Sequence, residues 1–253
     1  MSRFLLIVFM CVLMAPASWA QTAFQSQEEV ARWMTFYYKK PEPDRLPEAM
    51  QYISRSFPDK KNMVAPMMGF LSGVFRANPE KVDAWSSALA DLKETYLAAI
   101  VLGLWYSGLP DAKPKVMILL DRHPGLKQGF EPFRQGNPLT VEQIPLEQGP
   151  WVLDALWGKF MATGERAPVE RIMTALPWID IRGDTDRLGI GGAANWSLAS
   201  NAVQHERVLA FCEQARKTQS PEVASKLDKV IAQAKQELQQ QRVKPTATET
   251  PAP

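Results

Sequence analysis

The stretch Gly189–Cys212 carries most of the side chains in this chain that could do chemistry. It reads GIGGAANWSLASNAVQHERVLAFC, which is about seven helical turns if it is continuous. His205 and Cys212 are seven residues apart, so a helix would place them on one face, and both could bind a soft metal ion. Two ligands do not complete a metal site. A separate cluster of methionines, Met63, Met67 and Met68, could supply thioethers for Cu(I), although methionine at helical spacing is typical of core packing.

A polar stripe in the same stretch predicts either a hydrogen-bond network or a ligand-binding groove. The small residues Gly191–Ala194 precede the stripe, which suggests a helix packed on several sides. Polar groups buried in such a helix must find hydrogen-bond partners, either on neighbouring helices or on a ligand. The candidate groove residues are Trp196, Ser197, Ser200, Asn201, Gln204 and His205.

Nucleophilic catalysis has few candidate residues. A serine or cysteine nucleophile needs a neighbouring base, usually histidine, and the chain contains only His123 and His205. Cys212 could pair with His205, but a free cysteine is more often a buried structural residue. His123 follows Asp121-Arg122 in a predicted loop and could act as a general acid or base, or simply lie on the surface. We assign no catalytic residue from these patterns.

The glycines Gly189, Gly191 and Gly192 do not form a nucleotide-binding loop. Their spacing resembles G-x-G-x-x-A, but that motif must follow a β-strand. The preceding residues, Arg182–Leu188, contain Gly and three acidic or hydroxyl side chains and do not form a strand pattern. We therefore expect close helix packing at these glycines, and we predict no cofactor and no bound metal.

The N-terminus predicts export. Arg3, the apolar run Phe4–Leu13 and the small residues before Gln21 match a cleavable signal peptide over residues 1–20, with cleavage after Ala20. The expected location is the periplasm or the outside of the cell, with no integral membrane segment after cleavage. The chain has 29 Lys and Arg against 27 Asp and Glu, so loss of Arg3 leaves a net charge of about +1, which argues against nucleic-acid binding.

The remaining sequence predicts an all-α fold. Capping signals at Ser26, Asp184 and Ser220 precede segments with helical apolar spacing. We expect an N-terminal helical half over residues 21–110, an irregular connector over 111–149, a C-terminal helical half over 150–241 and a disordered tail over 242–253. Lys115–Leu120 in the connector could be a short helix or an isolated strand.

The two helical halves could be duplicates of one another. Trp33–Phe36 is similar to Trp157–Phe160, and Asn78–Trp85 is similar to Gln204–Phe211, at offsets of roughly 125 residues in both cases. Apolar helices can also share such patterns by chance. If the duplication is real, the helices form antiparallel hairpins in an α-solenoid-like array of two pseudo-repeated halves.

The segments Leu156–Trp178 and Gly191–Cys212 resemble stretches of exported bacterial α-helical proteins of a repeat-like kind. The resemblance covers less than a quarter of the chain, and it implies a helical fold but no activity. Because stacked helical pairs create concave surfaces, we predict a binding or scaffold protein that recognises a protein or peptide partner. The alternative is a small periplasmic hydrolase or metal-handling protein that uses His123, His205 and Cys212.

Overall fold

The computed structural model describes residues 23–57 and 61–243, and within these ranges the protein is all-α, as the sequence predicts. The described residues contain no β-strand, and one isolated bridge joins Ser107 to Thr140. The helices are α1 Gln27–Thr35, α2 Leu46–Ser56, α3 Val64–Ala77, α4 Val82–Ala88, α5 Glu94–Trp105, α6 Ala112–Arg122, α7 Pro124–Lys127, α8 Glu131–Gln135, α9 Trp151–Thr163, α10 Arg166–Met173, α11 Thr185–Gln204, α12 Glu206–Ala215 and α13 Pro221–Val243.

Side-chain caps fix the starts of three of these helices. The Ser26 hydroxyl accepts a hydrogen bond from the Glu29 amide at 3.1 Å. The Asp184 carboxylate accepts one from the Arg187 amide at 3.0 Å, at the start of α11. The Ser220 hydroxyl likewise accepts a hydrogen bond from a backbone amide at the start of α13, and Pro221 occupies the first position of that helix. Such caps satisfy amides that have no partner inside the helix, and the starts predicted from these three residues are confirmed.

The buried apolar residues form two clusters. The first extends from Phe24 to Phe130 and also contains Ala162 of α9. The second contains Met68 of α3 and then extends from Val141 to Ala234. Helices α3 and α9 each contribute to both clusters, so this pair of helices joins the two parts of the core.

Helices α3 and α9 approach each other closely because glycines remove the side chains between them. A Cβ on Gly69 would overlap the backbone carbonyl of Ala155, and a Cβ on Gly158 would overlap the carbonyl of Pro66. Backbone atoms cannot move aside without disturbing the helix that contains them. The two glycines therefore determine the distance between the central helices.

The interval 111–149 is more regular than the irregular connector that we expected. It contains α6, α7 and α8, and Lys115–Leu120 lies within helix α6. Three prolines of this interval, Pro114, Pro124 and Pro132, occupy the first turns of these helices, where proline is tolerated because the missing N–H has no helical partner. Val116 and Leu120 are buried in the first cluster, so this cluster continues beyond the predicted boundary at residue 110.

Helix α13 continues to Val243, two residues past the predicted end of the C-terminal half. The rest of the predicted tail, residues 244–253, and the predicted export signal, residues 1–20, lie outside the described residues. Across residues 23–57 and 61–243, no helix combines the length and apolar character needed to cross a bilayer. The solenoid-like array and the duplication of two halves stay predictions.

Candidate functional site

The six predicted groove residues do not surround a common space. Trp196, Ser200 and Gln204 follow one another at intervals of four residues on the exposed side of α11, and Trp196 is 69% exposed. The other three residues turn toward the protein: Ser197 and His205 are buried, and Asn201 is half-buried. The stripe is thus divided between a solvated face and a packed face of the same helix.

The packed polar residues of the stripe find their partners within their own helix. The Ser197 hydroxyl donates to the Ala194 carbonyl at 3.3 Å, and the Asn201 amide donates to the Ser197 carbonyl at 2.9 Å. Side-chain bonds of this kind satisfy polar groups without any neighbouring helix or ligand. These donors of Ser197 and Asn201 are therefore satisfied locally, and their role in a ligand-binding groove stays a prediction.

His205 lies at the break between α11 and α12, in an aromatic environment. Its backbone is extended, and its amide closes α11 by donating to the Asn201 carbonyl at 2.8 Å. The ring is completely buried against Phe36, Tyr38 and Phe160. Its Nδ1 lies 3.2 Å from the Tyr38 hydroxyl, whereas Nε2 has no hydrogen-bond partner among the described residues.

The surroundings of His205 keep its imidazole neutral. Burial, and to a smaller extent the positive charge of Lys39, lowers the pKa of His205 to about 4. A neutral imidazole in an aromatic environment stabilises the fold by packing.

Cys212 and His123 provide no nucleophile or metal site with His205. Cys212 is fully buried, and burial raises the pKa of its thiol to about 12, with a further contribution from Glu213. Reactive cysteines instead have a lowered pKa and some exposure. His123 is half-buried between α6 and α7 and makes no hydrogen bond or ring contact with His205 or Cys212. Within the described ranges, no group of three His, Cys, Asp or Glu side chains could hold a metal ion.

The glycines before the polar stripe have different environments. A Cβ on Gly191 would overlap the backbone of Trp178 and Ile179, so close packing is found at this position. Gly189 and Gly192 have open space around them. Only one of the three glycines therefore has the packing role that we expected.

The structure presents an apolar cleft that the sequence did not reveal. It has a volume of about 270 Å³ and lies where the start of α3, the end of α5 and the start of α9 meet. Its lining residues are Lys61, Val64, Ala65, Met68, Leu102, Tyr106 and Trp151. They come from three elements distant in sequence, so no local pattern could have grouped them. Met68, one of the three methionines considered for copper, forms part of this wall.

Three polar groups accompany the apolar wall of the cleft. The Trp151 indole N–H donates to the Gln148 carbonyl at 2.9 Å, which fixes the orientation of a partly exposed ring. The Tyr106 hydroxyl is protonated at neutral pH and can donate a hydrogen bond, and burial raises its pKa above the ordinary value. The exposed Lys61 forms no ion pair with any described residue, and none of the described lining residues is acidic.

A larger depression between α2 and the segment before α5 is a weaker candidate. It has a volume of about 460 Å³, and its lining consists mainly of polar and charged side chains. Both signs of charge are present, in Arg55, Lys93 and Asp91. Such a surface is well solvated, and a smaller share of its lining is apolar than in the cleft.

Comparison with known proteins adds no relative: no protein-family model, no curated protein and no solved structure matches the chain.

Proposed function

We propose that this is an exported binding protein that recognises a peptide segment of a partner protein. The observation that carries this proposal is the apolar cleft between α3, α5 and α9, which is open at the surface of a tightly packed helical protein. A binding role needs only such a surface. Of the three side chains that the alternative hydrolase or metal role would use, His205 and Cys212 are completely buried and His123 is half-buried.

The size and lining of the cleft favour an anchoring side chain over a complete small-molecule ligand. Its volume of about 270 Å³ is slightly below the range of roughly 300–1,000 Å³ for pockets that enclose drug-sized ligands. Protein interfaces commonly place one aromatic or aliphatic anchor in a desolvated pocket of this kind. Burying one large apolar side chain contributes about 1.5–3 kcal/mol.

A cleft-filling variant tests the binding role. Ala65 is half-buried and lines the cleft, whereas Ala77 is exposed at the other end of α3. In fluorescence anisotropy with dye-labelled pentapeptides that carry one apolar residue, we expect Ala65→Phe to weaken binding at least about tenfold. The matched control Ala77→Phe should bind as the parent does. Equal binding by all three proteins, or binding of none of the peptides to the parent, would contradict the proposed function.

The proposed export has a separate test. Residues 1–20 have the composition of a cleaved signal peptide, and the full-length chain expressed in a bacterium should be recovered from the periplasm or medium. Its intact mass should correspond to a chain that starts at Gln21. Recovery of an uncleaved chain from the cytoplasm would show that the export proposal is wrong and would leave the peptide-binding proposal standing.

A further inference from the structure

We propose that the cleft recognises the C-terminal carboxylate of a peptide whose last side chain is apolar. The inference rests on the proposed function, because it specifies which part of a peptide occupies the cleft between α3, α5 and α9. The apolar side chain would lie against Met68, Leu102 and Trp151, and the carboxylate would lie between Lys61 and Tyr106.

Charge complementarity supports an anionic group on the ligand. Lys61 contributes a positive charge that no described residue neutralises, and the cleft has no acidic side chain in its described lining. Tyr106 adds a hydroxyl that forms no hydrogen bond with any described residue and that is protonated at neutral pH. An ammonium group and a phenol are both donors, so together they suit an acceptor with a negative charge. A carboxylate meets this requirement, and a neutral amide does so only in part.

The small size of the cleft supports the end of a chain. Apolar wall and polar donors line the same space of about 270 Å³, so the ligand must present its apolar group and its anion close together. In a C-terminal residue the side chain and the carboxylate are attached to the same Cα atom. An internal acidic residue would have to direct its own side chain to the donors while a neighbouring residue fills the apolar part, and the peptide backbone would have to continue out of the cleft on both sides.

Three peptide probes with the same dye test this assignment on the complete mature chain. The first is Gly-Ser-Gly-Ser-Phe with a free C-terminal carboxylate, and the second is the same peptide with a C-terminal amide. The third, Gly-Ser-Asp-Phe-amide, places the acidic group on an internal side chain. In anisotropy titrations we expect the free acid to bind at least about tenfold more tightly than either amide, because hydrogen bonds to charged groups are the strong ones.

Variants assign the preference to the two donors. Lys61→Gln should remove most of the difference between the free acid and its amide while changing binding of the amide much less. Tyr106→Phe, which keeps the ring, should weaken binding of the free acid by a few-fold and binding of the amide by less. Lys229→Gln, at an exposed lysine of α13, is the matched control and should keep the full preference. Lys61 and Lys229 are both exposed, so neither lysine variant should alter folding, which a thermal melt checks.

Each outcome of these titrations decides between the two proposals. Equal binding of the free acid and its amide would overturn the carboxylate assignment and leave the peptide-binding function intact. Tightest binding of the internal aspartate peptide would also overturn it, in favour of an acidic side chain. A preference for the free acid that Lys61→Gln leaves undiminished would place the carboxylate elsewhere. If no probe binds and Ala65→Phe has no effect, the proposed function itself fails.

Discussion

Lys159 carries a positive charge in the interior of α9, with only 2% of its surface exposed. Its ammonium group donates to the Glu142 carboxylate at 2.8 Å. Burial by itself raises the pKa of Glu142, but the hydrogen bond and charge of Lys159, together with hydrogen bonds from the Glu142 backbone and Thr140, outweigh burial and lower it overall. The pair therefore connects the 3-10 segment Val141–Gln143 to the central helix, and the buried Lys159 needs Glu142 as its counter-charge.

Replacement of Glu142 should be costly because it would leave Lys159 buried without a counter-charge. We expect Glu142→Gln to lower the free energy of unfolding by about 3–5 kcal/mol, measured by urea denaturation at pH 7. Glu147→Gln is the control, since Glu147 forms an exposed ion pair with Arg187, and such a pair contributes about 1 kcal/mol or less. A similar loss in both variants would contradict the structural role of the buried pair.

His205 should make stability depend on pH between about 4 and 6.5. Its pKa is lowered from 6.5 to about 4 in the folded protein, first by burial and then by Lys39. Unfolding in this window takes up a proton, because the imidazole is neutral in the folded protein and protonated in the unfolded chain. The contribution of His205 to the free energy of unfolding is therefore complete above pH 6.5 and falls by about 1.4 kcal/mol for each pH unit below it. Urea titrations across this window should show a shallower pH dependence for His205→Phe than for the parent.

Glu142 should not obscure this measurement. The pKa of Glu142 is lowered from 4.5 in the folded protein. Its contribution to the free energy of unfolding is therefore complete above pH 4.5 and is lost only below that pH. Parallel pH profiles of the parent and His205→Phe between pH 5 and 6.5 would show that His205 is more solvated than its burial indicates.

At the scale of the elements, the packing of α3 on α9 organises the protein. Gly69 and Gly158 permit a backbone approach that no other residue type would allow, and Met68 of α3 belongs to the core cluster that α9 helps to form. The start of α3 and the start of α9 also form two of the three walls of the cleft. The position of the candidate site therefore depends on this helix pair.

A methyl group at the α3–α9 contact should separate the two helices. We expect Gly158→Ala to lower the free energy of unfolding by about 2 kcal/mol or more, because its Cβ would overlap the Pro66 carbonyl. Gly192→Ala, in the interior of α11 where a Cβ meets nothing, should raise stability by up to about 1 kcal/mol through helix propensity. Both are measured by urea denaturation, and a neutral Gly158→Ala would show that the helices are less tightly packed.

At the scale of the whole molecule, the two core clusters depend on each other. Ala162 of α9 belongs to the first cluster and Met68 of α3 to the second. The interval 111–149 also contributes to both, through Val116 to the first and Val141 to the second. Separation of the N-terminal and C-terminal parts would expose apolar surface on each of them.

We therefore expect the two parts to be unable to fold separately. A chain of residues 21–149 lacks α9, and a chain of residues 150–243 lacks α3. Neither should show a cooperative thermal transition by circular dichroism, whereas the chain 21–243 should melt in one transition. A cooperative melt of either part alone would mean that the α3–α9 contact is an interface between independent domains.

The sequence by itself determined the helical class and the starts of several helices. Caps such as Ser26 and Asp184 act on amides three residues away, so their effect can be recognised in a short window of sequence. The division of the Gly189–Cys212 stretch could not be predicted in the same way. Its polar residues have helical spacing on both the exposed and the buried side, and the arrangement of neighbouring helices decided which side each residue faces.

The tertiary structure alone decided where a ligand could bind. The cleft combines Lys61 and Met68, Tyr106 at the end of α5, and Trp151 at the start of α9, and these residues become neighbours only when α3 and α9 pack at Gly69 and Gly158. Likewise, His205 appears in the sequence as a candidate base, and only packing against Phe36, Tyr38 and Phe160 makes it a neutral structural residue. Hydrogen bonding within a helix is local, whereas burial, pKa shifts and concave surfaces arise from contacts between residues far apart in the chain.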